Sequence, residues 1–283
     1  MRISNCYVNA ADDGICIKSH DKDAFVSENI LIENCTVRSS ASAIKFGTRS
    51  HSGFKNVTIR NIKVFDTFRS AIAIESVDGG ILEDVLIENV EATNTGNAIF
   101  IRLGKRHTEK TGNLKNVTLR NIKVQVAYER PDYKYDIRGP ELPFFHNPFP
   151  SSITGIPGHP IENLTLENIE IIFPGRGNKG LAHMPIWRLD AIPEKVKSYP
   201  EFSMFGELPA WGFYVRHVDG LTMKNIKFTL ENPDYRPAYV FDDVKNLNME
   251  GISIVGDKKE KNIILKNTLN TQIDKELGTL KLK

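Results

Sequence analysis

Long apolar runs are missing from this chain, although 40% of its 283 residues are hydrophobic. That combination excludes membrane-spanning helices and predicts a soluble globular protein with a large buried core. Excess charge of either sign is missing too. Lys and Arg number 37 against 35 Asp and Glu, a net charge of +2, which argues against nucleic acid or an anionic membrane recognised through bulk charge. Cysteine is scarce. Cys6, Cys16 and Cys35 have neither metal-ligand spacing nor a reactive-thiol motif, and read as small buried apolar residues. The amino terminus, "MRISNCYV", carries no basic region, apolar stretch or cleavage site, so no secretion signal is read there. A leucine-rich pattern with helical returns is also absent, which excludes a leucine-rich solenoid.

What the chain has is repetition. A unit of the form Asn-[Ile/Val/Leu]-x-[Ile/Leu]-x-Asn-[Ile/Val/Cys]-x-[Val/Ile] recurs as "ENILIENCTV", "FKNVTIRNIKV", "LEDVLIENVEA", "LKNVTLRNIKV", "IENLTLENIEI", "VDGLTMKNIKF" and "VKNLNMEGISI". Its second Asn falls at Asn5, Asn34, Asn61, Asn89, Asn121, Asn168 and Asn225, with Gly251 standing in at the last unit. Apolar and polar residues alternate inside each unit, the period-2 mark of strands with two unlike faces. Ile32, Ile59, Ile87, Leu119, Leu166 and Met223 hold the same place in the repeat and are expected to form one interior column. The Asn interrupts the alternation and predicts a bend whose side-chain amides stack from unit to unit. The Asn-x-Thr matches at Asn56, Asn116 and Asn163 recur with this strand and read as scaffold.

A second strand follows in most units: "GICIKS", "SAIKFGT", "SAIAIES", "NAIFIRL", "WGFYVRH", "PAYVFDD". Such units are too short for helical crossovers, so the expected architecture is all-β: one domain over 1–283, a right-handed parallel β-helix of about eight coils. Two swollen units, 127–160 and 174–210, hold most of the 14 prolines and read as lateral insertions. Tyr133, Phe144, Phe145, Trp187 and Trp211 are their candidates for stacking on sugar rings. The Lys-rich tail, 257–283, reads as a carboxyl-terminal cap.

Registering the second strands puts Cys16, Lys45, Ala73, Phe100 and Tyr214 in one file, with Lys18, Gly47, Glu75, Arg102 and Arg216 two places along. Both files alternate with core-facing Ile and Phe and are therefore expected to face solvent. One outer face then gathers Asp12, Asp13, Lys18, His20, Lys45, Arg49, His51, Glu75 and Arg102. Taken alone, "DDG" is compatible with a tight turn. Beside these cations, the pair Asp12 and Asp13 has the makings of glycosidic cleavage: an acid for the leaving oxygen, a base for water, and donors for sugar oxygens.

A repeat of this kind with "NAADDGICIKS" after an "ISNCYV" strand resembles the polygalacturonase family of glycoside hydrolases, family 28, which are pectin-lyase-like parallel β-helices. The resemblance implies that Asp12 is the general acid and Asp13 one carboxylate of the water-activating pair. It also implies inverting hydrolysis of a pectic or related polysaccharide without cofactor or metal, and a secreted or periplasmic location. Lys18, His20, Lys45, Arg49, His51, Glu75 and Arg102 are then the expected substrate-binding residues. The sequence departs from the family pattern in three places. The third carboxylate, in an Asn-Thr-Asp motif one coil earlier, would precede Met1. Ser42 takes the place of a His. Ala73 and Glu75 replace an Arg and a Lys. The reading therefore expects an amino-terminal part of the family to be missing, with the open end of the stack covered by upstream sequence or by a second copy of the chain. Two other readings stand beside it: a non-catalytic carbohydrate-binding or structural β-helix, and a polysaccharide lyase with Asp12, Asp13 and Glu75 as calcium ligands.

Overall fold

A computed structural model of the chain describes residues 1–20, 25–131, 149–257, 259–274 and 277–282. Alternating residues form its strands and Asn residues bend them. The strands are β1 (Arg2–Ser4), β2 (Tyr7–Ala10), β3 (Ile15–Ser19), β4 (Ser27–Ser39), β5 (Ile44–Ser50), β6 (Gly53–Ser76), β7 (Ile81–Leu103), β8 (Asn113–Val126), β9 (Ser151–Thr154), β10 (Ile161–Phe173), β11 (Phe213–Leu230), β12 (Tyr239–Glu250), β13 (Ser253–Val255), β14 (Ile263–Lys266), β15 (Leu269–Ile273) and β16 (Thr279–Leu282). They pair in parallel along one continuous ladder. The molecule is an all-β solenoid of about nine turns, with 61% of its residues in strands. That is about one turn more than the repeats suggest. The tail accounts for it: β14 pairs with β12, β15 with β12, and β16 with β14. No helix among the described residues is long and apolar enough to cross a membrane.

The expected interior column is present. Ile32 pairs with Ile59, Ile59 with Ile87, Ile87 with Leu119, Leu119 with Leu166 and Leu166 with Met223. All six side chains are 0% exposed. Burial on this scale contributes about 1.5–3 kcal/mol for each such side chain, which makes the column a main source of stability.

At every bend of the repeat the Asn adopts a left-handed backbone conformation. φ is 56° at Asn34 and Asn61, 54° at Asn89, 55° at Asn121, 53° at Asn168 and 54° at Asn225. Asn reaches this region at lower cost than other L residues because its short amide bonds locally. Here the amides bond along the rod instead. Asn61 donates to Asn34 over 3.0 Å, Asn89 to Asn61 over 3.1 Å, Asn121 to Asn89 over 3.1 Å and Asn168 to Asn121 over 3.0 Å. The first Asn of the unit makes a parallel ladder that the sequence reading did not foresee. In it Asn56 donates to Asn29, Asn116 to Asp84 and Asn163 to Asn116. The three Asn-x-Thr residues are thus rungs of this ladder.

The second strands stack in the expected file, with one addition. β9 puts Ser152 between Phe100 and Tyr214. The expectation that this file faces solvent is wrong from Lys45 onward: Lys45, Ala73, Phe100, Ser152, Tyr214, Val240 and Ile264 are all buried. They do point away from the core, but the 174–210 segment lies over them. Leu189, Ile192, Phe205 and Leu208 pack against Tyr214, Val240 and Ile264, and Phe202 packs with Phe149 against Ala73 and Phe100. A Pro-rich segment with its own apolar side chains has turned an outer face into a second, thin core. Trp211 is drawn into the main core, 1% exposed, with its ring against Phe173 and its indole N–H donating to Asp257 over 3.0 Å. It is not available to a sugar, whereas Trp187 is exposed. Tyr133, Phe144 and Phe145 lie outside the described residues.

Candidate active site

The Asp12–Asp13 pair occupies the turn between β2 and β3, where the chain passes close to the next coil. A side chain at Gly14 would come within 2.5 Å of Val37 Cγ1 and 2.7 Å of the Ala43 carbonyl, so only Gly fits. Asp12 Oδ1 accepts the Asp13 amide N–H over 2.9 Å, and the Asp12 carbonyl accepts from Ser39 Oγ over 2.6 Å. Both bonds hold Asp12 within the turn and against the neighbouring coil. Asp13 does more than turn. Its Oδ1 accepts the backbone N–H of Ser42 over 3.2 Å, and its Oδ2 lies 3.2 Å from Lys45 Nζ, both on the neighbouring coil.

Lys45 continues the link inward. Its Nζ lies 3.8 Å from Glu75 Oε1, one coil further along. The side chains of Lys45 and Glu75 are 1% and 2% exposed, while that of Asp13 is 14% exposed and so forms the accessible end of the cluster. Since Nζ is 3.2 Å from Asp13 Oδ2 and 3.8 Å from Glu75 Oε1, the two oxygens are at most 7.0 Å apart. Glu75 Oε2 has no hydrogen-bond partner among the described residues. Burial pushes the Glu75 carboxyl up to about 7, with Lys45 opposing the rise and Asp13 adding to it. Burial alone would lower the Lys45 ammonium, but Glu75 and Asp13 outweigh it and hold the group above its ordinary value. Burial and the neighbouring Asp13 push the Cys16 thiol up to about 12, and it donates to the Gly47 carbonyl over 2.9 Å. Cys16 is therefore no nucleophile.

Tyr199, from the 174–210 segment, stands over this cluster. Its hydroxyl is 3.5 Å from Lys45 Nζ, and its ring centre is 5.6 Å from that Nζ and 5.7 Å from the Arg106 guanidinium. Even so the residue is 49% exposed. An open aromatic face held between cations is a surface on which a sugar ring can stack. Beyond it, Arg106 pairs with the buried Asp78 through two 3.0 Å bonds, and His51 Nδ1 lies 4.0 Å from the same carboxylate. The His51 ring is 6.5 Å from that of His20, which in turn contacts Arg49 at 2.7 Å. On the other side, Arg69 lies 3.5 Å from Glu201.

Of the residues singled out from sequence, Asp13, Lys45 and Glu75 are brought into one cluster. His20, Arg49 and His51 form a second group joined to it through Asp78, Arg106 and Tyr199. Lys18 is exposed on β3, beside Cys16. Arg102 does not join them. It is 1% exposed, donates to Thr154 Oγ1 over 3.2 Å, to the Gly155 carbonyl over 2.9 Å and to the Glu194 carbonyl over 2.7 Å, and burial pulls its guanidinium down to about 10. Its donors anchor the overlying segment, which removes it from any groove. Sequence reasoning missed Tyr199, Arg69, Asp78, Arg106 and Glu201. Arg69 and Asp78 flank the "AIAIES" strand and could have been found there; Tyr199 lies in a segment without periodicity.

A calcium ion shared by Asp12, Asp13 and Glu75 does not fit this arrangement. Lys45 Nζ already stands between Asp13 and Glu75, and no group of three or more His, Cys, Asp or Glu among the described residues is placed to hold a metal ion.

No family model matches the chain, and no curated protein matches it. Among solved structures, one described as the crystal structure of the Agl-KA catalytic domain aligns with a TM-score of 0.27 at 10% identity. The alignment takes in 99% of this chain and 62% of that one, so this chain spans less than two thirds of that protein's length. At so low a TM-score the match adds nothing to the architecture described above.

Proposed function

We propose that the chain is a glycoside hydrolase of polygalacturonase-like type, cleaving a pectic or related polysaccharide at the Asp12–Asp13 turn. The observation that carries this reading is the convergence of Asp13 and Glu75 on the single buried ammonium of Lys45, directly beneath the open ring of Tyr199. A structural turn needs neither a charge cluster across three coils nor an exposed aromatic face above it. In the proposed reaction Asp12 donates a proton to the leaving glycosidic oxygen, and Asp13 takes one from the attacking water. Lys45 holds the Asp13 carboxylate in place from below. Glu75, too deep to meet a sugar, is a positioning residue that acts through Lys45. Tyr199 supplies the stacking face, and Arg49, His20 and His51 supply donors for sugar oxygens.

Elimination is the less favoured chemistry. A lyase needs a neutral base near the uronate α-carbon, and Lys45 is held charged by two carboxylates. The chemistry of the products tests the reading. Incubation with polygalacturonan and with a rhamnose-containing pectin should release new reducing ends without an unsaturated, ultraviolet-absorbing product. Accumulation of the unsaturated product would replace hydrolysis by elimination, and binding without either product would make the chain a binding module.

A further inference from the structure

None of the three cysteines takes part in the proposed hydrolysis. Cys16 stands apart on β3, where its thiol donates to the Gly47 carbonyl. Cys6 and Cys35 differ from it because they hold one place in two successive coils. Each follows a bend Asn, Asn5 or Asn34, whose φ is 56°. Ser4 pairs with Glu33 before them and Tyr7 with Thr36 after them, so Cys6 lies opposite Cys35. The Asn5 amide donates to the Glu33 carbonyl over 3.1 Å, and the Thr36 amide to the Cys6 carbonyl over 2.9 Å, which fixes the two backbones side by side.

The thiols repeat each other as well. Cys6 Sγ donates to the Ser4 carbonyl over 3.4 Å and Cys35 Sγ to the Glu33 carbonyl over 3.3 Å, so both side chains take the same direction. Further along the rod the same column is continued by Ile62, Val90, Ile122, Ile169 and Ile226, which fill space and carry no reactive group. Two stacked thiols can react. Adjacent strands lie about 4.7–4.9 Å apart, inside the separation of about 4.4–6.8 Å between α-carbons that a disulfide spans. Burial pushes the Cys35 thiol up, and Cys6 beside it acts on it through both its backbone and its thiol. Cys35 is buried whereas Cys6 is partly open, which makes Cys6 the sulfur that a reagent meets first.

We propose that Cys6 and Cys35 are a disulfide-forming pair that staples the coil carrying Asp12 and Asp13 to the coil after it. The inference stands apart from the hydrolase reading. The oxidant is a small disulfide of the glutathione class. The Cys6 thiolate attacks one of its sulfurs and releases a first small thiol; the Cys35 thiolate then attacks Cys6 Sγ of the mixed disulfide and releases the second. One S–S bond forms and one breaks, the two protein thiols lose two electrons in all, and their protons leave on the two small thiols. The loop closed between residues 6 and 35 contains Asp12, Asp13, Lys18 and His20, and closing it removes freedom from the unfolded chain.

The test equilibrates the folded protein in glutathione buffers from fully reduced to fully oxidised, quenches by alkylation in denaturant and maps the peptides by mass spectrometry. In the oxidised buffer the expected result is the loss of two hydrogens, one cross-link joining Cys6 to Cys35, and a Cys16 that is still alkylated. Urea unfolding of the oxidised form should give an unfolding equilibrium constant about 10²-fold below that of the reduced form. Cys6→Ala should abolish the cross-link and the difference between the two buffers, whatever its own stability. Three alkylated thiols throughout the series, a bond that includes Cys16, a glutathione adduct that never resolves to the cross-link, or an oxidised form no more stable than the reduced one would overturn the pair.

Discussion

Lys45 Nζ lies 3.2 Å from Asp13 Oδ2 and 3.8 Å from Glu75 Oε1, and its side chain is 1% exposed. One buried ammonium thus serves two carboxylates from two other coils. Removing it takes from both acids their nearest ammonium. Lys45→Met, which keeps most of the volume, should destabilise the fold by about 3–5 kcal/mol, the usual cost of breaking a buried pair from one side. Lys45→Met combined with Glu75→Gln should recover part of that loss. Urea unfolding of the single and double variants measures both; equal stabilities for the two would show that Glu75 is not coupled to Lys45.

Glu75 carries a pH signature. Its folded value is raised to about 7 from an ordinary value of 4.5, so the folded state holds a proton that the unfolded state has released across that interval. Stability contributed by this group therefore falls as pH rises from about 4.5 to about 7 and is flat above, by up to about 3 kcal/mol in all. The difference in unfolding free energy between wild type and Glu75→Gln should show that slope. A difference independent of pH over the interval would mean that Glu75 titrates normally.

Asn89 tests the ladder. With φ at 54° it donates to Asn61 and accepts from Asn121, each over 3.1 Å. Asn89→Gly keeps the conformation and loses the bonds, while Asn89→Ala loses both. The left-handed strain on Ala, about 1–2 kcal/mol, exceeds the ~0.4–1 kcal/mol it gains by restricting the unfolded chain. Asn89→Ala should accordingly have the lower urea midpoint of the two. An Ala variant at or above the Gly variant would contradict the conformational argument.

The solenoid was legible because its determinants are local and repeated. Ile32, Ile59 and Ile87 share a place in a period-2 pattern, and Asn34, Asn61 and Asn89 mark the same bend, so one unit read correctly gives its neighbours. The pairing of Asp13 with Lys45 follows from the same register, since Cys16 lies beside Lys45 in the ladder. The course of the 174–210 segment was not legible. Lys45 and Tyr199 are 154 residues apart, and no repeat connects them. For the same reason the outer face was read as open: its alternation correctly points Phe100 and Tyr214 away from the core, but only the folded structure brings Phe202 and Phe205 over them. The tail reads from sequence as a cap because its repeat is shortened, yet it continues the stack, and Asn270 donates to Asn246 over 3.0 Å in the ladder of first Asn residues.

The central claim is that Asp12 and Asp13 perform hydrolysis, and the most direct measurement is the initial rate of reducing-end release by wild type, Asp12→Asn and Asp13→Asn on the pectic polymers named above. Asn keeps the shape of each side chain and tolerates the turn, but carries no transferable proton and cannot act as a base. Each variant should lose about 10²–10⁴-fold in rate. Asp12→Asn should keep its unfolding free energy within about 1 kcal/mol of wild type, whereas Asp13→Asn also takes a partner from the buried Lys45 and its rate is compared where urea unfolding shows it fully folded. Wild-type protein that releases no reducing ends, or variants that retain more than about a tenth of its rate, would contradict the account.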